Sequence, residues 1–170
     1  MTLAIRAKPT LYKGIRFRSR LEARWAIFLD ALDVEWVYEP AVEGVQGYLP
    51  DFQVGDTWFI EVKPESWQDR SPSSDHDISR FASFLAGTER HLFVTHGAPG
   101  EWENGKLVRE ARGWAFTATS CDKAKWQECK RCGFVGVVAV GSPVCSCPQL
   151  YDRLRAAYNA VRDHSYEDAS

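Results

Sequence analysis

Between residues 19 and 64 one helix-periodic run is followed by three β-rich runs punctuated by Pro40, Gly55 and Pro64. No other feature of the chain constrains its fold as much. From Ser19 to Asp33 the apolar residues Leu21, Trp25, Phe28, Leu29 and Leu32 recur at the spacing of one helix face. Val34-Glu35-Trp36-Val37-Tyr38 is β-branched and aromatic, and Pro40, which has no N–H for a ladder, stops it. Two further strands are expected near 47–54 and 57–63, flanking the turn residues Gly55-Asp56, and Pro64 closes the second. A helix followed by a run of strands excludes an all-helical bundle.

The remaining segments extend this plan. Residues 12–18 alternate apolar and basic side chains and read as a short strand or extended entry, and 64–76 is a loop rich in chain breakers. A helix is expected at 77–86, burying Ile78, Phe81, Ala82 and Leu85, then a strand at 91–95. A polar hairpin around Asn104-Gly105, a strand at 114–117 and a last helix at 149–162 follow, and the polar end 163–170 is expected to fray. The order predicts an α/β (α+β) fold, a mixed central β-sheet flanked by helices. With 170 residues, 45% of them hydrophobic, seven Trp and nine Phe, the chain can fill a core without disulfides. No apolar run reaches the roughly 20 residues needed to span a bilayer, and the first residues lack a signal peptide's apolar stretch. No membrane partner is expected, and a cytoplasmic location follows by elimination.

The net charge of −2 hides an asymmetry. Residues 1–24 carry Arg6, Lys8, Lys13, Arg16, Arg18, Arg20 and Arg24 against Glu22, whereas the charged residues of 30–62 are all acidic. Basic and acidic surfaces side by side suit a protein that grips phosphate next to a metal pocket. Ordinary solvated faces would give the same composition.

Asp51, Glu61 and Lys63 lie on one expected hairpin. Strand alternation puts Phe59, Glu61 and Lys63 on one face and Trp58, Ile60 and Val62 on the other. A two-residue turn at Gly55-Asp56 would set Asp51 opposite Ile60, whereas a three-residue turn would set it opposite Glu61. Two carboxylates and an ammonium can hold a hard divalent cation against a phosphate beside an activated water. The plain alternative is a surface hairpin with charges in solvent. Leu49, Phe52, Phe59, Ile60 and Val62 crowd the carboxylates, however, and a carboxylate among such neighbours needs a cation or a partner. Glu22 falls at the edge of the helix's apolar stripe, a natural third carboxylate, while Ser19-x-x-Glu22 is equally a capping box.

Arg18-Ser19-Arg20-Leu21-Glu22, Val34 to Pro40 with its Tyr38-Glu39, Tyr48-Leu49-Pro50-Asp51-Phe52 and Ile60-Glu61-Val62-Lys63 together resemble the PD-(D/E)XK nuclease superfamily. Within it they look most similar to phage junction-resolving endonucleases and to the endonuclease subunit of heteromeric transposases. The resemblance covers about residues 12–64. It implies a restriction-endonuclease-like core and Mg²⁺ or Mn²⁺ held by Asp51, Glu61 and the Val62 carbonyl, with Glu22 completing the shell. It implies that Lys63 orients or helps deprotonate the attacking water, and that Arg16, Arg18, Arg20 and Arg24 grip DNA phosphates. Resolving a junction takes two active sites, so that activity would require a homodimer. The chain departs from the processive exonuclease branch, whose Gln-x-x-x-Tyr helix has no counterpart after Lys63.

Cys129-Lys130-Arg131-Cys132-Gly133 and, after a twelve-residue gap, Cys145-Ser146-Cys147-Pro148 read as a four-cysteine structural zinc element, with Lys130 and Arg131 on a basic rim. Cys121 is an alternative ligand and an iron–sulfur cluster an alternative occupant. Disulfides do not suit a reducing cytoplasm. The histidines, His76, His91, His96 and His164, lack ligand spacing. The expected organisation is a nuclease-like core at 1–119, a zinc-ribbon-like insert at 120–148, and a C-terminal helix and tail at 149–170. The expected function is a metal-dependent DNA endonuclease of phage or mobile-element type, selective for branched structure. The alternative is a nuclease-fold binding module for nucleic acid or protein without catalysis. Zinc-dependent chemistry is disfavoured, because four thiolates leave the metal no open position.

Overall fold

A computed structural model describes residues 7–104, 106–129, 131–132, 134–140 and 152–168. The chain opens with a hairpin of β1 (Thr10–Tyr12) and β2 (Ile15–Phe17). Lys13 and Gly14 both take positive φ there, the geometry of a tight two-residue turn that matches strand twist. The alternation at 12–18, expected as a short strand or extended entry, spans a turn and β2. Helix α1 (Arg20–Ala31) and strands β3 (Trp36–Tyr38), β4 (Phe52–Val54) and β5 (Trp58–Lys63) follow as the sequence predicts. Next come α2 (His76–Leu85), β6 (His91–His96), the small hairpin β7 (Glu101–Glu103) and β8 (Lys106–Arg109), and β9 (Arg112–Phe116). The described chain ends with β10 (Cys121–Glu128), β11 (Val135–Ala139), α3 (Asp152–Asp163) and β12 (Glu167–Asp168).

The architecture is a mixed α/β one. Among the described residues, seven strands form the main sheet in the order β11-β10-β9-β6-β5-β4-β3, in which only β5 and β6 are parallel. Residues 121–128 and 135–139, inside the stretch expected as a zinc-bearing insert, are its last two strands. The tail does not simply fray, since β12 pairs with β1 in a second, three-stranded sheet. Among the described residues no helix is long and apolar enough to cross a membrane.

Helix α1 buries far more than a stripe. Ala23, Trp25, Ala26, Ile27, Phe28 and Leu29 are all buried, because α1 lies between the sheet face of Phe52, Ile60, Val62 and Phe93 and the apolar side of α3. Phe28 stacks on Tyr158 of α3 at 5.4 Å and meets Trp126 of β10 edge-on at 5.4 Å. Each such aromatic contributes about 1.5–3 kcal/mol by burial alone. Helix α2 covers the opposite sheet face, where Ile78, Phe81 and Leu85 pack on Phe59, Leu92 and Val94. The sheet therefore has helices on both faces, and among the described residues α2 leaves the β9–β10 half of its own face open.

Candidate functional site

Asp51 and Glu61 are brought together by the turn between β4 and β5. Phe52 pairs with Ile60, Gln53 with Phe59 and Val54 with Trp58, leaving the three residues Gly55, Asp56 and Thr57 as the turn. Gly55 has φ +53° and donates its N–H to Glu35 O at 3.1 Å, which fastens the turn to the residue preceding β3. This register continues to set Asp51 opposite Glu61, the three-residue alternative. The two carboxylates share the α2 face of the sheet with Phe59.

Both carboxylates are almost wholly buried, Asp51 at 4% and Glu61 at 8% exposure, so every polar partner matters. Asp51 Oδ2 accepts the Val62 N–H at 2.7 Å, and its Oδ1 accepts Arg18 Nη2–H at 2.8 Å. Glu61 Oε2 accepts the Tyr48 hydroxyl at 2.6 Å, and its Oε1 lies 2.8 Å from Lys63 Nζ. Asp75, the N-cap of α2, takes the Asp77 and Ile78 N–H groups and sits 3.6 Å from the same ammonium.

Glu22 arrives from the other layer. Ser19 Oγ caps α1 by accepting the Glu22 N–H and donates to Glu22 Oε1 at 2.7 Å. Glu22 Oε2 accepts the Arg18 N–H at 3.2 Å and the Tyr38 hydroxyl. Capping and participation in the site are one arrangement, since Arg18 also reaches Glu39 at 2.7 Å and Asp51 from the same turn.

The electrostatics show where charge is unbalanced. Burial pushes the Asp51 carboxyl well above its ordinary value, and the nearby Glu61 and Glu22 add to this, against the Val62 N–H and Arg18. Burial pulls the Lys63 ammonium down, but Glu61 outweighs it, with help from Asp75 and Asp51, and the net shift is upward. Burial and Glu61 likewise hold the Tyr48 phenol above its usual range, so it stays a donor. The site opens to solvent through a cleft of about 580 Å³ lined by Arg18, Tyr48, Leu49, Glu61, Lys63 and Asp75.

Among the described residues no three His, Cys, Asp or Glu side chains form a ready-made ion cage. A hard cation that keeps most of its waters needs only one or two carboxylates. Asp51 and Glu61, buried side by side although their charges repel, could supply such a pair. The donor set fits a Mg²⁺-class ion.

Other sequence candidates are dispersed. Arg16 is exposed on β2, whereas Arg18 is drawn onto Asp51 and Glu39. The guanidinium groups of Arg20 and Arg24 lie 5.4 and 5.7 Å from the Tyr166 ring. Arg131 and Cys132 are exposed in the turn between β10 and β11, and Cys129 is buried at its start, donating its N–H to Phe134 O at 2.8 Å. Lys130, Cys145 and Cys147 lie outside the described residues. Cys121 and Cys129 stand at opposite ends of β10, roughly 26 Å apart at 3.3 Å per residue, so one ion cannot take both. Sequence reasoning missed Tyr48 and Asp75 as partners of Glu61 and Lys63. Tyr48 sits three residues before Asp51, close enough to have been suspected, while nothing local marks Asp75 beyond its helix-capping character.

Compared with protein-family profiles, with curated proteins and with solved structures, the chain matches none of them.

Proposed function

We propose that this protein is a Mg²⁺- or Mn²⁺-dependent phosphodiesterase acting as an endonuclease on DNA. One observation carries the reading: the β4–β5 register, continued one step past Phe52–Ile60, sets Asp51 opposite Glu61, both buried and of like charge, with Lys63 on the same face. Asp51, Glu61 and the Val62 carbonyl would hold the ion, with Glu22 completing its shell. When bound, the ion supplies Lewis-acid charge at the phosphate and makes a nearby water easier to deprotonate. Lys63, held cationic by Glu61, orients that water and offsets charge developing on the phosphate rather than serving as the base. Tyr48 fixes the Glu61 rotamer. Arg18, 58% exposed, neutralises Asp51 in the metal-free protein and can turn outward to a phosphate.

The test is a cleavage panel of junction, flap, single-stranded and duplex DNA with Mg²⁺ or Mn²⁺. Cleavage of at least one substrate, abolished by Glu61→Ala, is expected. A panel left intact sinks the activity, and equal cleavage by the variant sinks the site assignment. If only the junction is cut, a dimeric mass in solution is expected as well, because two strands must be cut.

One observation favours the binding-module reading. Both carboxylates already have cationic partners in the chain, Arg18 and Lys63, as a non-catalytic site would. Absence of Mn²⁺ binding that depends on Asp51 and Glu61 would decide for it. We also propose a structural zinc held by Cys129, Cys132, Cys145 and Cys147, supported by the tight turn that Cys129 closes.

A further inference from the structure

Among the described residues, the α2 face of the sheet continues past the carboxylates as an open groove of about 720 Å³ over β9 and β10. Strand register sets its floor. Glu61 pairs with Val94, Val94 with Trp114 and Trp114 with Lys123, one row running from the candidate site to β10. The neighbouring row begins at Lys63 and His96 and ends at Arg112 and Lys125. From β5 to β10 is three strand spacings, roughly 14 Å. Gly113 makes the floor possible, because a Cβ there would lie 2.1 Å from Val94 O.

The groove has a chemical character. Arg70, Arg112, Lys123 and Lys125 line it against Asp69 and Glu110, four cations to two acids in a chain of net charge −2. Glu110 is shared between Arg112 at 3.0 Å and Lys125 at 2.8 Å, so it positions both cations and offsets only one of their two charges. Trp114 is half-buried in the floor, with Lys123 Nζ 5.8 Å from its ring. Among the described residues, His96, where the groove meets Lys63, keeps a buried Nδ1 without a hydrogen-bond partner. A cationic track around an aromatic ring is how proteins hold an unpaired strand, phosphates on the cations and a base on the ring. A duplex hides its base faces and could not use Trp114.

We infer that this groove seats a single-stranded nucleic-acid segment leading from β10 to the Lys63 end of β5. The inference rests on the endonuclease reading for what happens where the segment reaches Lys63. It makes the β9–β10 surface, rather than the arginines of α1, the main binding track.

The test is fluorescence anisotropy of a labelled oligothymidylate of about 20 nucleotides, using the full chain with no added Mg²⁺ or Mn²⁺ so that nothing is cut. The double variant Arg112→Glu/Lys123→Glu is expected to bind at least tenfold more weakly, with a salt dependence shallower by about one to two in log–log slope. Trp114→Leu is expected to lose about fivefold or more, and Lys106→Glu, on the remote β8, to bind like wild type. Should the double variant fail to fold, the single exposed changes Lys123→Ala and Arg70→Ala are read instead, each with about a twofold to fivefold loss expected. Wild-type affinity in the groove variants, or no binding by the parent chain, overturns the inference. So does a blunt duplex bound as tightly as the single strand and weakened equally by Trp114→Leu. Groove-dependent binding without cleavage of any substrate would leave the groove standing and remove the nuclease. Metal-dependent cleavage indifferent to the groove variants would do the reverse.

Discussion

Replacing Asp51 by Asn should make the metal-free protein more stable while abolishing its function. The carboxylate is 4% exposed and sits opposite Glu61, with Glu22 also near. Cross-strand neighbours are about 5 Å apart, and at an effective dielectric of about 20 two like charges there repel by roughly 3 kcal/mol. Against this stands the pairing with Arg18 at 2.8 Å, an exposed side chain whose attraction is partly screened and which keeps Glu39 at 2.7 Å when Asp51 is neutral. The amide oxygen can still accept the Val62 N–H. The balance is a gain of about 1–2 kcal/mol, which in a chain of this length raises Tm by roughly 3–6 °C. The pH dependence has a definite sign. Because the folded-state pKa of Asp51 is raised above 3.8, its stabilising contribution is complete below that value and is lost as pH rises through the folded-state pKa. The advantage of Asp51→Asn should therefore be near zero at low pH, grow through that interval and level off above it. Thermal melts across pH, with and without Mn²⁺, measure this. Mn²⁺ should raise the wild-type Tm and leave the variant's unchanged. A variant less stable than wild type by about 1 kcal/mol or more at neutral pH would refute the reasoning, since Asp51 would then be a structural anion for Arg18.

Four other outcomes follow from the same geometry. Lys63→Met should abolish cleavage and, by leaving Glu61 buried beside Asp51 without its cation, cost about 2–3 kcal/mol in urea unfolding. Tyr48→Phe should cost about 1–2 kcal/mol because Glu61 Oε2 loses its hydroxyl donor, and it should reduce kcat more than substrate affinity. Mn²⁺ affinity measured by calorimetry should rise with pH, because a proton on Asp51 competes with the ion and the Asp51 pKa is raised. Elemental analysis should find one zinc per chain, reduced in Cys129→Ser; undiminished zinc in that variant would place the ion elsewhere.

What could be read from the sequence was local. The apolar period of α1, the β-rich composition of β3, β4 and β5, and the breakers at Pro40, Gly55 and Pro64 each lie within one element, where side-chain spacing is the cause of structure. Alternation alone placed Glu61 and Lys63 on one face, and their 2.8 Å contact agrees with it. The same information left Asp51 facing either Ile60 or Glu61. That choice turned on one extra residue in the turn, held by the Gly55 N–H bond to Glu35 O, and a one-residue slip would have moved Asp51 to the other face. Glu22 likewise stayed undecided between cap and site, because helix spacing says nothing about Tyr38 or Asp51 across the fold. The partnership of Tyr48 with Glu61, the diversion of Arg18 onto Asp51 and the joining of β10 and β11 to the main sheet depend on contacts between distant residues. So does the groove, which exists because β6, β9 and β10 follow β5 in space, an order that only long-range strand pairing decides. Sequence determined which residues alternate and where the elements stop. Tertiary structure decided which of them face one another, because register and layer order are set by packing between segments that share no local signal.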